Sequence, residues 1–184
     1  MFEALLEKIA RGLDEKNVPY MVIGGQAVLL YGEPRLTRDI DITLGAGVER
    51  LDEMMGIVDR IDLKCLTAKV EDFVRETMVL PAIEEKTGIR VDFIFSFSPY
   101  ERQAIERAKG VSLGNSKVRF AALEDVVIHK IIAGRPRDIE DVENILLKNP
   151  EYDSSYIEKW LAEFDEALNE DYRRSFTAIR KRIE

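Results

Sequence analysis

The chain has 184 residues, 46% hydrophobic and 34% charged, enough to bury a core as one domain or as two small lobes. Its net charge of −8 gives little general attraction to nucleic acid, which depends on Lys and Arg neutralising phosphates, although a local basic patch would still serve. Cys65 is the only cysteine, which excludes an internal disulfide and a Cys-rich metal site.

The first residues, Met1-Phe2-Glu3-Ala4-Leu5-Leu6-Glu7-Lys8, are amphipathic and acidic without a signal-peptide core. No apolar run approaches the roughly 20 residues that span a bilayer. The expectation is a soluble, cytoplasmic protein with no membrane partner.

Phe2, Leu5, Leu6, Ile9 and Leu13 recur at helical spacing and predict a helix over 2–16, ended by Asn17 and Pro19. Tyr20 to Ile23 reads as a short buried strand broken by Gly24-Gly25. Ala27 to Tyr31 predicts a short buried helix closed by Gly32. Residues 38–44 alternate, with Asp39 and Asp41 on one face of a strand and Ile40, Ile42 and Leu44 on the other. A helix is expected over 48–58, a short strand over 63–66 and a brief helix around 70–74.

Met78 to Ile83 and Ile89 to Phe95 predict a hairpin turned at Gly88, and Pro81 places the first run at an edge or a bulge. Pro99 opens a helix to about Ala108. Val111 to Leu113 and Lys117 to Ala121 bracket Gly114-Asn115 as a second hairpin. From Leu123 onward the pattern is helical, over 123–133, 137–148, 154–168 and 171–182. The expected plan is a mixed α/β (α+β) core over 1–121, followed by a helical lobe over 122–184.

Three features carry chemistry. Gly24 and Gly25 stand at the mouth of a helix, where absent side chains let a phosphate approach unpaired N–H groups. Asp39 and Asp41 lie about 6.5–7 Å apart along one strand face. Carboxylates held that close repel unless a cation lies between them. Mg²⁺ suits such a site because it takes oxygen ligands from carboxylates and substrate phosphates together. Asp92 interrupts the apolar run Val91-Asp92-Phe93-Ile94-Phe95, and burial there is costly unless the carboxylate is paired, hydrated or metal-bound. Beside 38–44, it would complete a three-carboxylate set able to hold two ions about 3.5–4 Å apart.

Gly24-Gly25, thirteen intervening residues and Asp39-Ile40-Asp41, with Asp92 on a later strand, resemble the signature of the DNA polymerase β-like nucleotidyltransferase superfamily. Pro34-Arg35-Leu36-Thr37-Arg38-Asp39 resembles the Arg-x-Thr-x-Asp-[hydrophobic]-Asp loop of the AbiEii toxin-like group and its minimal relatives. Ser98-Pro99-Tyr100-Glu101, Leu123-Glu124-Asp125 before Lys130, and Ala133-Gly134-Arg135-Pro136-Arg137-Asp138-x-x-Asp141 are similar to that group's later stretches. The resemblance covers about residues 18–148.

That resemblance implies a nucleotidyltransferase-fold mixed sheet with a C-terminal helical lobe, and an active site in the cleft between them. It implies transfer of a nucleoside monophosphate from an NTP to an acceptor hydroxyl. Gly24 and Gly25 would cradle the phosphates. Asp39, Asp41 and Asp92 would be catalytic and would bind two Mg²⁺ or Mn²⁺ ions. Lys130 would reach the triphosphate, and Arg35, Thr37 and Arg38 would join the nucleotide site. Gly25 stands where many relatives have Ser, so backbone donors must replace a hydroxyl. RNA or tRNA is the favoured acceptor, with protein or a small cationic molecule beside it, and a cognate antitoxin is an expected partner.

Other residues invite simpler readings. Arg135, Arg137, Asp138 and Asp141 suit structural ion pairs. His129, the one histidine, reads as structural or peripheral. Arg173, Arg174, Arg180, Lys181 and Arg182 read as a charged helix face, and Trp160, Leu161, Phe164 and Leu168 as helical core. The rival from another class is a non-catalytic nucleotide-binding or protein-interaction module that retains the fold. Loss of a carboxylate or a glycine would mark it, and this chain keeps them all.

Overall fold

The structure is a computed structural model that describes residues 2–34, 36–96 and 98–183. It divides into two compact units, Met1–Gln26 with Thr37–Ala121, and Ala27–Leu36 with Ala122–Glu184.

The first unit is built on a seven-stranded mixed sheet. Its strands are β1 (Tyr20–Ile23), β2 (Asp39–Gly45), β3 (Lys64–Cys65), β4 (Val79–Glu84), β5 (Ile89–Ser96), β6 (Lys109–Leu113) and β7 (Ser116–Phe120), in the order β3-β4-β5-β2-β1-β7-β6. The expected mixed α/β class is borne out. In β2, Ile40, Ile42 and Leu44 are fully buried, as are Val91 and Phe93 in β5. Apolar residues at every second position send one face of each strand to the core and leave the alternate positions for polar groups.

The helices α1 (Phe2–Glu15), α3 (Leu51–Arg60), α4 (Val70–Thr77) and α5 (Pro99–Arg107) belong to this unit. Leu5, Leu6, Ile9, Ala10 and Leu13 form the buried stripe of α1, which packs on β6 and β7. At the start of α5 the Ser98 hydroxyl accepts from the Glu101 N–H at 3.3 Å and Pro99 occupies the first turn, two helix-starting devices together.

The expected edge position of Pro81 needs qualification. β4 lies between β3 and β5 and pairs with both. The Pro81 carbonyl accepts from the Leu66 N–H at 2.9 Å on the β3 side. Its ring nitrogen faces that same side and donates nothing, since a strand residue's N–H and C=O point the same way. The ladder with β3 is confined to Lys64 and Cys65. Proline is therefore accommodated beside a very short edge strand.

The second unit contains the body of α2 (Gly24–Tyr31), whose first three residues belong to the first unit, and α6 (Leu123–Ala133), α7 (Pro136–Lys148), α8 (Ser154–Leu168) and α9 (Tyr172–Ile183). Tyr31 and Gly32 are tied to the C-terminal end of α7 by specific bonds. Asn149 Nδ2 donates to the Tyr31 carbonyl at 2.9 Å and Lys148 Nζ to the Gly32 carbonyl at 3.1 Å. Val127, Ile128, Val142, Ile145, Ile157 and Leu161 form the core of this unit, with Phe176 and Ile179 from α9. Trp160 and Leu161 are buried, in line with a helical-core stripe, while Leu168 is exposed.

His129 on α6 titrates abnormally, with desolvation pushing its imidazole from 6.5 down to about 4. Between those values the unfolded chain binds a proton that the folded chain refuses. Stability therefore falls as pH drops from 6.5 towards 4, by on the order of 2–3 kcal/mol. Urea unfolding at pH 7 and pH 4.5 should show this loss, and His129→Gln should remove most of its pH dependence. An equal pH slope in both proteins would refute the assignment.

Candidate active site

Strand register gathers the carboxylates. β2 and β5 pair in parallel, with Asp41 opposite Asp92 and Asp39 opposite Arg90. Residues directly opposite share a face, so Asp39, Asp41 and Asp92 lie on one side of the sheet, with Arg90 among them. β1 pairs antiparallel on the other flank of β2, with Ile23 opposite Asp41. The chain leaves β1 at Ile23, enters α2 at Gly24 and passes directly over Asp41.

That passage explains Gly24. Its φ is +63°, in the left-handed region that disfavours a side chain. A Cβ added there would collide with Asp41 Oδ2 and lie 3.0 Å from Asp41 Cγ. The first glycine thus leaves room for a carboxylate as well as for an approaching ligand, and that carboxylate stands at the N-terminus of α2. Gln26, in the first turn of α2, is 6% exposed and its side-chain Nε2 is buried without a hydrogen-bond partner. Sequence reasoning does not single out this residue, because an unsatisfied amide can be recognised only in three dimensions.

Asp92 is half-buried, and its Oδ1 is buried without a hydrogen-bond partner. Desolvation raises its pKa, Arg90 opposes that rise, and the nearby Asp39 adds to it. A buried carboxylate oxygen beside a second negative group, with no donor satisfying it, is chemically suited to a cation. Among the described residues, no three His, Cys, Asp or Glu side chains converge closely enough to hold an ion by themselves. The donor set still fits Mg²⁺, which is bound through one or two carboxylates together with water and substrate phosphates rather than in an all-protein cage.

The remaining expected residues occupy separate places. Thr37 is 9% exposed, and its hydroxyl donates to Asp39 Oδ1 at 3.1 Å. Arg38 is exposed, and Arg35 lies outside the described residues. Lys130, on α6 of the second unit, is 6% exposed and lies 2.6 Å from Asp138 Oδ1 and 2.9 Å from Asp141 Oδ2. Arg135 joins Asp138 at 2.6 Å. Burial alone would raise the Asp138 pKa, but the hydrogen bonds from Arg135 and Lys130 prevail and hold it below the usual carboxylate value. Of Arg135, Arg137, Asp138 and Asp141, from which ion pairs are expected, Arg135, Asp138 and Asp141 are paired, with Lys130 among them, and Arg137 is exposed.

The model of a protein family described as "Nucleotidyltransferase of unknown function (DUF6036)" matches residues 1–182. The chain belongs to this nucleotidyltransferase family. No protein of curated function matches it. Solved structures similar to this nucleotidyltransferase include the enzyme ANT(2'')-Ia in complex with adenylyl-2''-tobramycin. That pair has 18% identity and a TM-score of 0.54, over 99% of this chain and 98% of the other. An antigenic nucleotidyltransferase-like protein from Paracoccidioides brasiliensis is 15% identical, with a TM-score of 0.57 over 97% of this chain and 91% of that one. The polyadenylate synthase of Megavirus is 13% identical, with a TM-score of 0.52 over 82% of this chain and 32% of that one. At such identities the likeness establishes the nucleotidyltransferase fold. Among the described residues of this nucleotidyltransferase, no helix is long and apolar enough to cross a membrane.

Proposed function

We propose that the chain transfers a nucleoside monophosphate from an NTP to an acceptor hydroxyl, releasing pyrophosphate, in a metal-dependent reaction. The observation that carries this reading is the register of Asp41 against Asp92, beneath the glycine that opens α2. Asp39, Asp41 and Asp92 would hold two Mg²⁺ or Mn²⁺ ions, which would supply charge neutralisation for the in-line displacement. Gly24, Gly25 and the first turn of α2 receive the phosphates. The acceptor oxygen bonds to the α-phosphorus as the bond to the β-phosphate oxygen breaks, and the electron pair leaves with pyrophosphate. Asp92 helps remove the hydroxyl proton.

A small cationic acceptor fits the chain best. The net charge is −8, and the basic residues of α9 are largely engaged within their own unit. Arg173 pairs with Asp165 at 2.9 Å, Arg180 with Glu158 at 3.0 Å and Arg182 with Glu143 at 2.7 Å. The full-length similarity to ANT(2'')-Ia, whose structure contains an adenylylated aminoglycoside, supports the same acceptor class. The loop Arg35-x-Thr37-x-Asp39-x-Asp41 favours a second reading. In it an RNA, above all a tRNA, is the acceptor, and the chain is an AbiEii-like toxin held by an antitoxin in the cytoplasm.

The test uses α-labelled ATP, GTP, CTP and UTP with Mg²⁺ or Mn²⁺, offered with total RNA, total protein or mixed aminoglycosides. Label should move to the small-molecule arm, and Asp92→Asn should retain most NTP binding while losing turnover. Transfer to RNA would replace the first acceptor with the second. Failure of the wild type to bind both metal and every NTP would overturn the catalytic proposal itself.

A further inference from the structure

We infer that Thr37 is a positioning residue that orients Asp39 for metal binding through its side-chain hydroxyl, rather than a nucleotide contact. This rests on the proposed role of Asp39 as a metal ligand. Asp39 opens β2 and is exposed, so its surroundings do little to set the carboxylate's rotation. That terminal torsion is broad and roughly two-fold when unconstrained. Thr37 is 9% exposed and stands two residues earlier, where the loop enters the strand. Its Oγ1 is 3.1 Å from Asp39 Oδ1 and 3.4 Å from the Asp39 carbonyl oxygen.

A threonine hydroxyl carries one proton, and the shorter contact to the charged oxygen is the better use of it. The bond holds Oδ1 and leaves Oδ2 free to face a cation. A nearly buried hydroxyl spent in this way is poorly placed to serve a phosphate. Sequence alone placed Thr37 with the nucleotide-contacting residues, because a motif position does not reveal where a hydroxyl points.

Partners that orient a metal ligand typically contribute 10–100-fold to metal affinity or activity. The test measures Mn²⁺ binding by the full chain, using the electron paramagnetic resonance of free Mn²⁺ in the presence of a non-hydrolysable NTP analogue. It compares wild type, Thr37→Val and Thr37→Ser. Valine keeps the shape and removes the donor, whereas serine keeps the donor and removes the methyl group. Thr37→Val should weaken Mn²⁺ binding by roughly 10-fold or more, with metal-free thermal unfolding close to wild type, and Thr37→Ser should recover most of the affinity.

Wild-type Mn²⁺ affinity in Thr37→Val would overturn the inference. So would an equal loss in Thr37→Ser, which would assign the effect to methyl packing. A metal-binding wild type that transfers no nucleotide would overturn the proposed reaction and leave the positioning role standing. A wild type that binds no Mn²⁺ would overturn both.

Discussion

Asp41→Asn is expected to lower kcat for nucleotide transfer by roughly a thousandfold, the equivalent of about 4 kcal/mol of lost charge stabilisation. The same substitution should leave the melting temperature of the metal-free protein close to that of the wild type. Asp41 faces Asp92 across the β2–β5 ladder, on the face that also carries Asp39. Asparagine keeps the side chain's shape against Gly24 and removes only the negative charge. Loss of activity with retained stability is the signature of a residue kept for chemistry rather than for folding. Steady-state kinetics and calorimetry on the same preparation make the comparison. Near-wild-type turnover would remove Asp41 from the metal site, and a large fall in melting temperature would identify it as a structural group.

Gly24→Ala should damage both activity and stability. The left-handed backbone at Gly24 costs an L-residue about 1–2 kcal/mol, and the new methyl group occupies the space of the Asp41 carboxylate. Asp41 must then turn away, so turnover should fall about as far as in Asp41→Asn. The melting temperature should drop by roughly 3–8 °C, given the size of the chain.

Gly88 provides the control. Its φ is +72°, in the turn between β4 and β5, and a Cβ there would meet nothing within 4 Å. Gly88→Ala therefore bears the backbone cost without the collision, and should lower stability by a similar backbone contribution while retaining activity. If Gly24→Ala were as active as Gly88→Ala, the contact between Gly24 and Asp41 would have no catalytic consequence.

Much of the architecture was legible locally. The period of 3.6 in Leu5, Ile9 and Leu13 and the period of two in Ile40, Ile42 and Leu44 are local properties. Each assigns an element and its buried face without reference to distant residues. The same alternation put Asp39 and Asp41 on one face, and the family resemblance placed the glycines and carboxylates in one superfamily.

Pairing between distant segments was not legible in this way. Whether β5 lies beside β2, and whether Asp92 stands opposite Asp41 rather than one residue away, depends on which strands bury each other's apolar faces. A one-residue slip would turn Asp92 to the opposite face. Pro81 shows the same limit, since proline's missing donor implied an edge and only the brevity of β3 reveals how β4 accommodates it between two neighbours.

The sequence alone placed the glycines at a helix mouth and Asp39 and Asp41 on one strand face, because strand periodicity is encoded over short stretches, and its resemblance to a known superfamily implied the nucleotidyltransferase class. Only the tertiary structure decided that Asp41 lies under Gly24, that Thr37 donates to Asp39, and that Lys130 is enclosed by Asp138 and Asp141. Those contacts depend on how side chains turn after the backbone has folded, where burial and unsatisfied hydrogen-bonding groups select among local alternatives.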